Sequence, residues 1–231
     1  MDFIFAIKWR LLIDAVILKK IQESLIVFHA SLLPRYRGFA PVNWPLINGE
    51  TKTGVTMFYG IDEVDAGDII DQKEIVIEDS DNAATLDKKV TAVVVKMLRE
   101  NLLKLRNGTA SRITQDDSEA TYAIWRSPED GQINWNNSST KILNLIRGLT
   151  YPYPGAFTFL EGRKLMIWEA ERYDGRRYVG SIPGKVESVI PGVGVNVLTG
   201  DGLITLKSIQ LDGDSRRPAF EILRRLKIKL G

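Results

Sequence analysis

Hydrophobic positions come in two rhythms along this chain, and the rhythm changes half-way. Phe3–Ile7 is a short continuous apolar run, long enough for a buried strand and too short for a helix of ordinary length. Ala15–Ile21 reads as a helix, Leu25–Phe28 as a second buried strand and Gly54–Tyr59 as a third. Beyond Asp81, a residue type that caps helices, Leu86, Val90, Val93, Val94, Met97, Leu98 and Leu105 recur at steps of mostly three and four. That spacing predicts one long amphipathic helix, and Asn107-Gly108 ends it. Strands alternating with helices imply a parallel sheet covered by helices.

After the polar stretch Thr114–Glu119 the pattern shortens. A helix over Ser139–Leu149, apolar at Ile142, Leu145 and Ile146, is followed by strands such as Gly194–Thr199 and Leu203–Ile209. Glu161-Gly162, Pro183-Gly184, Pro191-Gly192 and Gly200-Asp201-Gly202 supply the turns between strands. Short strands at this spacing predict a small antiparallel barrel or sandwich. The change divides the chain into domains over 1–117 and 118–231. The terminal run from Ser215 reads as an amphipathic helix with Ala219, Ile222, Leu223 and Leu226 inward.

Composition narrows the chemistry. The 231 residues carry 31 Lys plus Arg against 29 Asp plus Glu, a net charge of +2, too balanced to bind nucleic acid by bulk charge. Cysteine is absent, which removes disulfides, thiolate nucleophiles and Cys-ligated metals. One histidine cannot make a His-cluster metal site, so any metal would be a hard cation held by carboxylates, and none is expected. Asp2, Lys8, Arg10 and Asp14 interrupt the apolar N-terminus, so neither a membrane span nor an export signal is expected, and the reading is cytoplasmic.

That single histidine, His29, ends an apolar strand, and ligands of open α/β sheets bind at the carboxyl ends of strands. A lone histidine is more often structural than catalytic, so the residues around it must decide. They run FHASLLPRYRG, then PVNWPLINGETKTGVT, then DEVDAGDI. In this order they resemble the formyltransferases that use 10-formyltetrahydrofolate, which act on methionyl-tRNA or on nucleotide-linked amino sugars. ATYAIWRSPEDGQINW, IRGLTYPYPGAFTFL and VLTGDGLITLKSIQ resemble the C-terminal barrel of the same family.

The resemblance implies a partial Rossmann-like α/β catalytic domain followed by a small antiparallel, OB-like barrel. It implies a catalytic pair, His29 and Asp65. An amine attacking a formyl carbon generates an oxyanion and a proton to be moved, work suited to an imidazole with a carboxylate beside it. It places the folate against Leu11, Leu12 and Ile13, against Ser31, Leu32, Leu33 and Pro34, and against Ile61 and Asp62. Leu11–Ile13 read equally well as plain core. Arg35, Tyr36 and Arg37, two cations around an aromatic, are candidates for the acceptor, with solvated surface as the alternative. Trp125, Trp135, Tyr151, Tyr153 and Trp168 read as core and interdomain packing.

Two departures from the family pattern qualify this reading. The family has an asparagine two residues before the histidine, where this chain has Val27, on the same strand face as His29. A valine cannot donate to an oxyanion, and losing one such donor costs about 2.7–4 kcal/mol. The family domain also opens about three strands earlier, which leaves the Phe3–Ile7 edge uncovered and implies self-association. The sequence therefore supports a formyltransferase whose acceptor is either methionyl-tRNA or an amino-sugar nucleotide. The alternative is an impaired, truncated relative that binds folate or a partner chain.

Overall fold

The computed structural model describes residues 2–9, 11, 13–21 and 24–231. It divides into two compact units, the first built mainly from residues 1–126 and the second mainly from 127–231.

In the first unit, β1 (Ile4–Ile7) leads through α1 (Ala15–Ile21) to β2 (Leu25–His29), and the two strands pair in parallel with Ala6 opposite Val27. Ala6, Leu18 and Leu25 form a small apolar cluster against which Ile13, Ile21 and Val27 pack. The rest of the sheet departs from the all-parallel expectation. β4 (Lys52–Tyr59) runs antiparallel to β2, and β5 (Ile69–Val76), which the apolar pattern does not announce, runs antiparallel to β4. The order is β1-β2-β4-β5. For β4 and β5 the reason is the length of the link over 60–68: a parallel return needs a crossover of a dozen or more residues, whereas a short link folds into a hairpin. Alternation in β5 is blurred because Asp71, Lys73 and Glu74 engage in ion pairs of their own.

β1 is one edge strand of this sheet, with Ile4 and Ile7 exposed. Among the described residues no helix is long and apolar enough to cross a membrane.

α3 (Ala83–Arg106) follows the sequence periodicity, with Ala83, Leu86, Val90, Val94, Met97, Asn101 and Leu105 buried along one face. The buried Asn101 donates to Asp71 Oδ2 of β5 at 2.8 Å, an anchor between helix and sheet. The capping residue is Asn82 rather than Asp81: its side chain accepts from the Ala84 amide at 3.0 Å. Asp81 stands one position earlier, and accepts from the Glu78 amide, the Thr85 hydroxyl and the Lys89 ammonium. Gly108 ends the helix with φ +69°, its amide reaching Leu105 O and that of Thr109 reaching Lys104 O.

Residues 118–126 belong with the first unit and not, as the composition change suggests, with the second. β6 (Tyr122–Ala123) pairs in parallel with β3 (Arg37–Gly38), and the indole of Trp44 donates to Ile124 O at 3.0 Å. α2 (Asn43–Asn48) follows β3 directly. Trp125 is exposed rather than packed.

The second unit opens on α4 (Ser139–Leu149), capped by the Ser138 side chain, which accepts from the Lys141 amide. Its strands are β7 (Ala156–Leu160), β8 (Arg163–Arg172), β9 (Val186–Ile190), β10 (Gly194–Leu198), β11 (Leu203–Leu211) and β12 (Arg217–Pro218). They pair antiparallel in the order β7-β8-β11-β10-β9, with β12 beside β11. One face of α4 (Ile142, Ile146, Leu149) joins Trp135, Leu165, Ile167, Val195, Val197, Ile204, Leu206 and Ile209 in a single buried cluster. Of the expected core aromatics Trp135 is buried and bonded to Thr158, whereas Tyr151 is exposed.

The terminal helix is short. α5 (Ala219–Ile222) buries Ala219, and Leu223 just after it is buried too, but Leu226 is 56% exposed. Beyond Leu223 the chain extends: the Val186 amide donates to Ile228 O and the Leu230 amide to Gly184 O. Strand-like pairing takes backbone groups that a longer helix would have used.

The Asp81 cluster yields a pH-dependent expectation. Burial works against the Asp81 carboxylate, but the bonds from Lys89, Glu78 and Thr85 outweigh it and hold the pKa below the usual carboxylate range. With the folded value depressed, the unfolded chain protonates first, so the stabilisation is complete above about pH 4 and is lost as pH falls through the folded value. Asp81→Asn should cost about 1.5–3 kcal/mol at neutral pH. Thermal unfolding of both proteins from pH 7 down to pH 3 should show the gap closing as pH falls.

Candidate active site

β2 delivers His29 to the end of the sheet, where it stands opposite Thr56 of β4, which in turn stands opposite Gln72 of β5. This lateral row of polar residues crosses the sheet and grips the loop that follows β2. The Thr56 hydroxyl donates to Ser31 O at 2.7 Å and accepts from the Leu33 amide at 3.1 Å. Gln72 Nε2 donates both to Thr56 Oγ1 and to Leu33 O. Ser31 is fully buried, its own hydroxyl donating to Arg35 O at 2.7 Å.

The loop then turns through Tyr36, whose φ of +61° is costly for a residue with a side chain. Thr121 holds it there: its hydroxyl accepts from the Tyr36 amide at 2.9 Å, its carbonyl from the Arg37 amide, and its own amide donates to Pro34 O. Gly38, at φ +101°, lies so close to β6 that a Cβ would stand 2.6 Å from Ala123 O.

Around His29 the polar atoms converge. Nε2 lies 2.7 Å from the carbonyl of Tyr36, which can only accept, so Nε2 carries a proton. On the other side Nδ1 lies 3.4 Å from Asp65 Oδ2. Both side chains are largely buried, at 8% and 14% exposure, so their interaction is screened far less than a surface pair. Asp65 Oδ2 also accepts from the Gly38 amide at 2.8 Å. Asp65 itself sits at φ +54°. Its loop folds back against β4 so tightly that a Cβ on Gly67 would fall 1.7 Å from Tyr59 O.

A buried cation supports that loop from behind. Arg37 is fully buried, and its Nε and Nη2 both donate to Gln115 Oε1, at 3.2 and 2.9 Å. Nη2 also donates to Asp117 at 2.7 Å. Burial opposes the guanidinium charge, but the bonds to Asp117 and Tyr122 outweigh it and raise its pKa above the ordinary value. The amide end of Gln115 donates to Asp65 O and to Gly67 O, each at 2.8 Å.

A histidine and a buried carboxylate at the end of a strand, in a site with fixed backbone, can hold and move one proton while keeping the ring oriented. Comparison with known proteins agrees with such chemistry. Residues 1–102 match the family model "Formyl transferase", and residues 126–227 match "Formyl transferase, C-terminal domain". A methionyl-tRNA formyltransferase of Thermodesulfovibrio yellowstonii is 39% identical over 230 residues, all of this chain and 72% of that relative.

The chain belongs to the formyl transferase family.

The fold likeness agrees. HypX from Aquifex aeolicus, solved in complex with tetrahydrofolic acid, superposes with a TM-score of 0.73 at 21% identity, over 96% of this chain but only 38% of that one. An N-formyltransferase from Helicobacter canadensis, in complex with folinic acid and dTDP-3-aminofucose, gives 0.65 at 19% identity, over 92% and 73%. The family takes its one-carbon unit from 10-formyltetrahydrofolate.

In this formyl transferase family member the structure brings His29, Asp65, the Tyr36 carbonyl and the Gly38 amide together. Ser31 and Leu33 are buried beside them, and Leu32 and Pro34 are half-buried. Leu11, Ile61 and Asp62 are exposed; Ile13 packs on the β1–β2 cluster; Leu12 lies outside the described residues. Arg37 is not available to an acceptor, because every part of its guanidinium is turned inward. Arg35 is 66% exposed and stands 3.8 Å from Glu119, and the Tyr36 hydroxyl donates to Glu50. Sequence reasoning missed Thr56, Gln72, Gln115 and Thr121. Thr56 had a signal, as the lone aliphatic hydroxyl within VTMFY; Gln115 sat in a polar stretch that reads as a connector.

Thr56→Val keeps shape but leaves the buried Leu33 amide unpaired, so it should destabilise the protein by about 1–3 kcal/mol. Denaturant unfolding measures the loss, and it should be larger than that of a hydroxyl deletion on an exposed strand face.

Proposed function

We propose that this chain transfers a formyl group from 10-formyltetrahydrofolate to an amine, with His29 as the acid–base group and Asp65 as its orienting carboxylate. The observation that carries the reading is the buried His29–Asp65 contact, 3.4 Å between Nδ1 and Oδ2, in a chain whose family is established. Asp65 faces Nδ1 and orients the ring, so Nε2, which carries a proton, is the position that gives a proton to the departing folate nitrogen and takes one back from the attacking amine. The folate supplies the formyl carbon when bound. Leu11, Leu12 and Ile13, Ser31 to Pro34, and Ile61 and Asp62 would hold it. Exposed Leu11 and Ile61 and half-exposed Leu32 and Pro34 offer the apolar surface that a flat pterin ring needs, while Ser31 and Leu33 spend their polar atoms on the loop itself.

The acceptor we assign is the amino group of methionyl-tRNA, supported by the 39% identical relative of that name. A nucleotide-linked amino sugar is the competing acceptor, supported by likeness of fold to the sugar enzymes. Of Arg35, Tyr36 and Arg37, it is Arg35, exposed beside Glu119, whose cation faces solvent where a phosphate on either acceptor would meet it.

The His29→Ala protein should lose formyl transfer while retaining folate affinity within a few-fold, since the ring serves the transition state. Single-turnover assays with both acceptors, alongside folate titration, test this; wild-type turnover in the variant would defeat the assignment.

A second reading, of an impaired relative, has one observation behind it. Val27 packs on the apolar cluster of Ala6, Leu18 and Leu25, so the position that holds asparagine in the family offers no donor here. Val27→Asn should raise single-turnover rates by roughly ten- to a thousand-fold. It should also lose about 1–3 kcal/mol of stability, because an amide enters an apolar contact. A folded, folate-binding variant with no added turnover would favour the impaired reading.

A further inference from the structure

Gln115 lies 50 residues from Asp65 in sequence, yet both protons of its amide go to the loop that presents Asp65. Each end of its amide has a distinct task. Oε1 accepts two bonds from the buried Arg37 guanidinium, and Nε2 spends its two protons on the carbonyls of Asp65 and Gly67. Those carbonyls bracket the turn that places Asp65 at φ +54° with its carboxylate against the Gly38 amide and the His29 ring. A residue with a side chain in the left-handed region is held there only by its surroundings.

We infer that Gln115, oriented by Arg37, is a positioning residue that fixes Asp65 against His29 Nδ1. The chemistry is specific to an amide. A glutamate would keep the acceptor for Arg37 but turn lone pairs toward two carbonyl oxygens. A methionine would fill the volume with no bonds at either end. Glutamine alone among side chains of this length accepts from a cation at one end while donating twice at the other. The arrangement also explains why Arg37 is buried in a loop whose neighbour Arg35 is exposed: its charge is used to lock one side-chain amide in place.

The kinetic consequence rests on the formyl-transfer reading; the structural one does not. Because His29 is the only histidine in the chain, a long-range proton–nitrogen NMR spectrum of the full-length protein reports its two ring nitrogens without assignment ambiguity. In Gln115→Met and Gln115→Glu the Nδ1 resonance should move, as Asp65 shifts away, while the Nε2 resonance, set by Tyr36 O, stays. Under saturating folate and acceptor, kcat should fall roughly ten- to a hundred-fold with KM changed by less than about threefold, the cost of a misplaced catalytic neighbour. Circular dichroism and melting temperature establish that each variant is folded. Should Gln115→Met fail to fold, Gln115→Glu, which keeps the pairing with Arg37, carries the test. Ring-nitrogen resonances identical to wild type in a folded variant overturn the inference, and so does a displaced Nδ1 resonance with unchanged kcat. If the wild-type chain transfers no formyl group, the functional reading fails and the NMR comparison still decides the role of Gln115.

Discussion

A guanidinium taken wholly out of water has to be met by acceptors on every side, because the desolvation penalty for a buried ion is several kcal/mol. Arg37 satisfies this requirement by recruiting Gln115, Asp117 and Tyr122, all from a segment some 80 residues downstream. That obligation brings the 113–123 stretch back onto the loop after β2 and creates the short β3–β6 ladder. It also commits Gln115 to the 65–67 turn. Three loops distant in sequence thus share one electrostatic constraint, and the histidine–aspartate pair lies where they meet.

The opposite wall of the site is neutral. The row His29, Thr56 and Gln72 uses cross-strand register to place one hydroxyl and one amide beneath the loop over 31–33, where they satisfy a buried amide and two buried carbonyls. Buried polar groups of this kind are stabilising only when complete, so removing one member leaves others exposed to the full desolvation cost. Between the charged network on one side and the neutral one on the other, the loop has little freedom to relax. A site whose backbone is already held in place spends less binding energy on ordering itself when a substrate arrives.

The second unit follows simpler physics. Its tight turns fall at dipeptides that carry one glycine, and one face of α4 closes a single apolar cluster. No charged side chain among the described residues is buried there to compare with Arg37, and α4, β10 and β11 stand where the sequence pattern puts them.

Read alone, the sequence yields α1, β2, most of α3, α4 and, in the second unit, β10 and β11, because each rests on local periodicity that a single stretch of chain carries. The family is legible as well, since FHASLLPRYRG and the DAGD segment keep their residue types in order, and that resemblance is what points to His29 and Asp65 as the pair proposed for the chemistry. The tertiary structure alone decided the rest. Antiparallel pairing of β4 and β5 follows from a link too short to cross over, and the placing of 118–126 follows from a two-residue ladder, neither of which leaves a periodic trace. Arg37 and Arg35 look alike in sequence, two residues apart in one loop; one is turned inward by distant acceptors and the other is left in solvent. Gln115 reads as connector for the same reason: a hydrogen bond between residues 50 or 78 positions apart has no local signature, and its partners become neighbours only when the chain has folded.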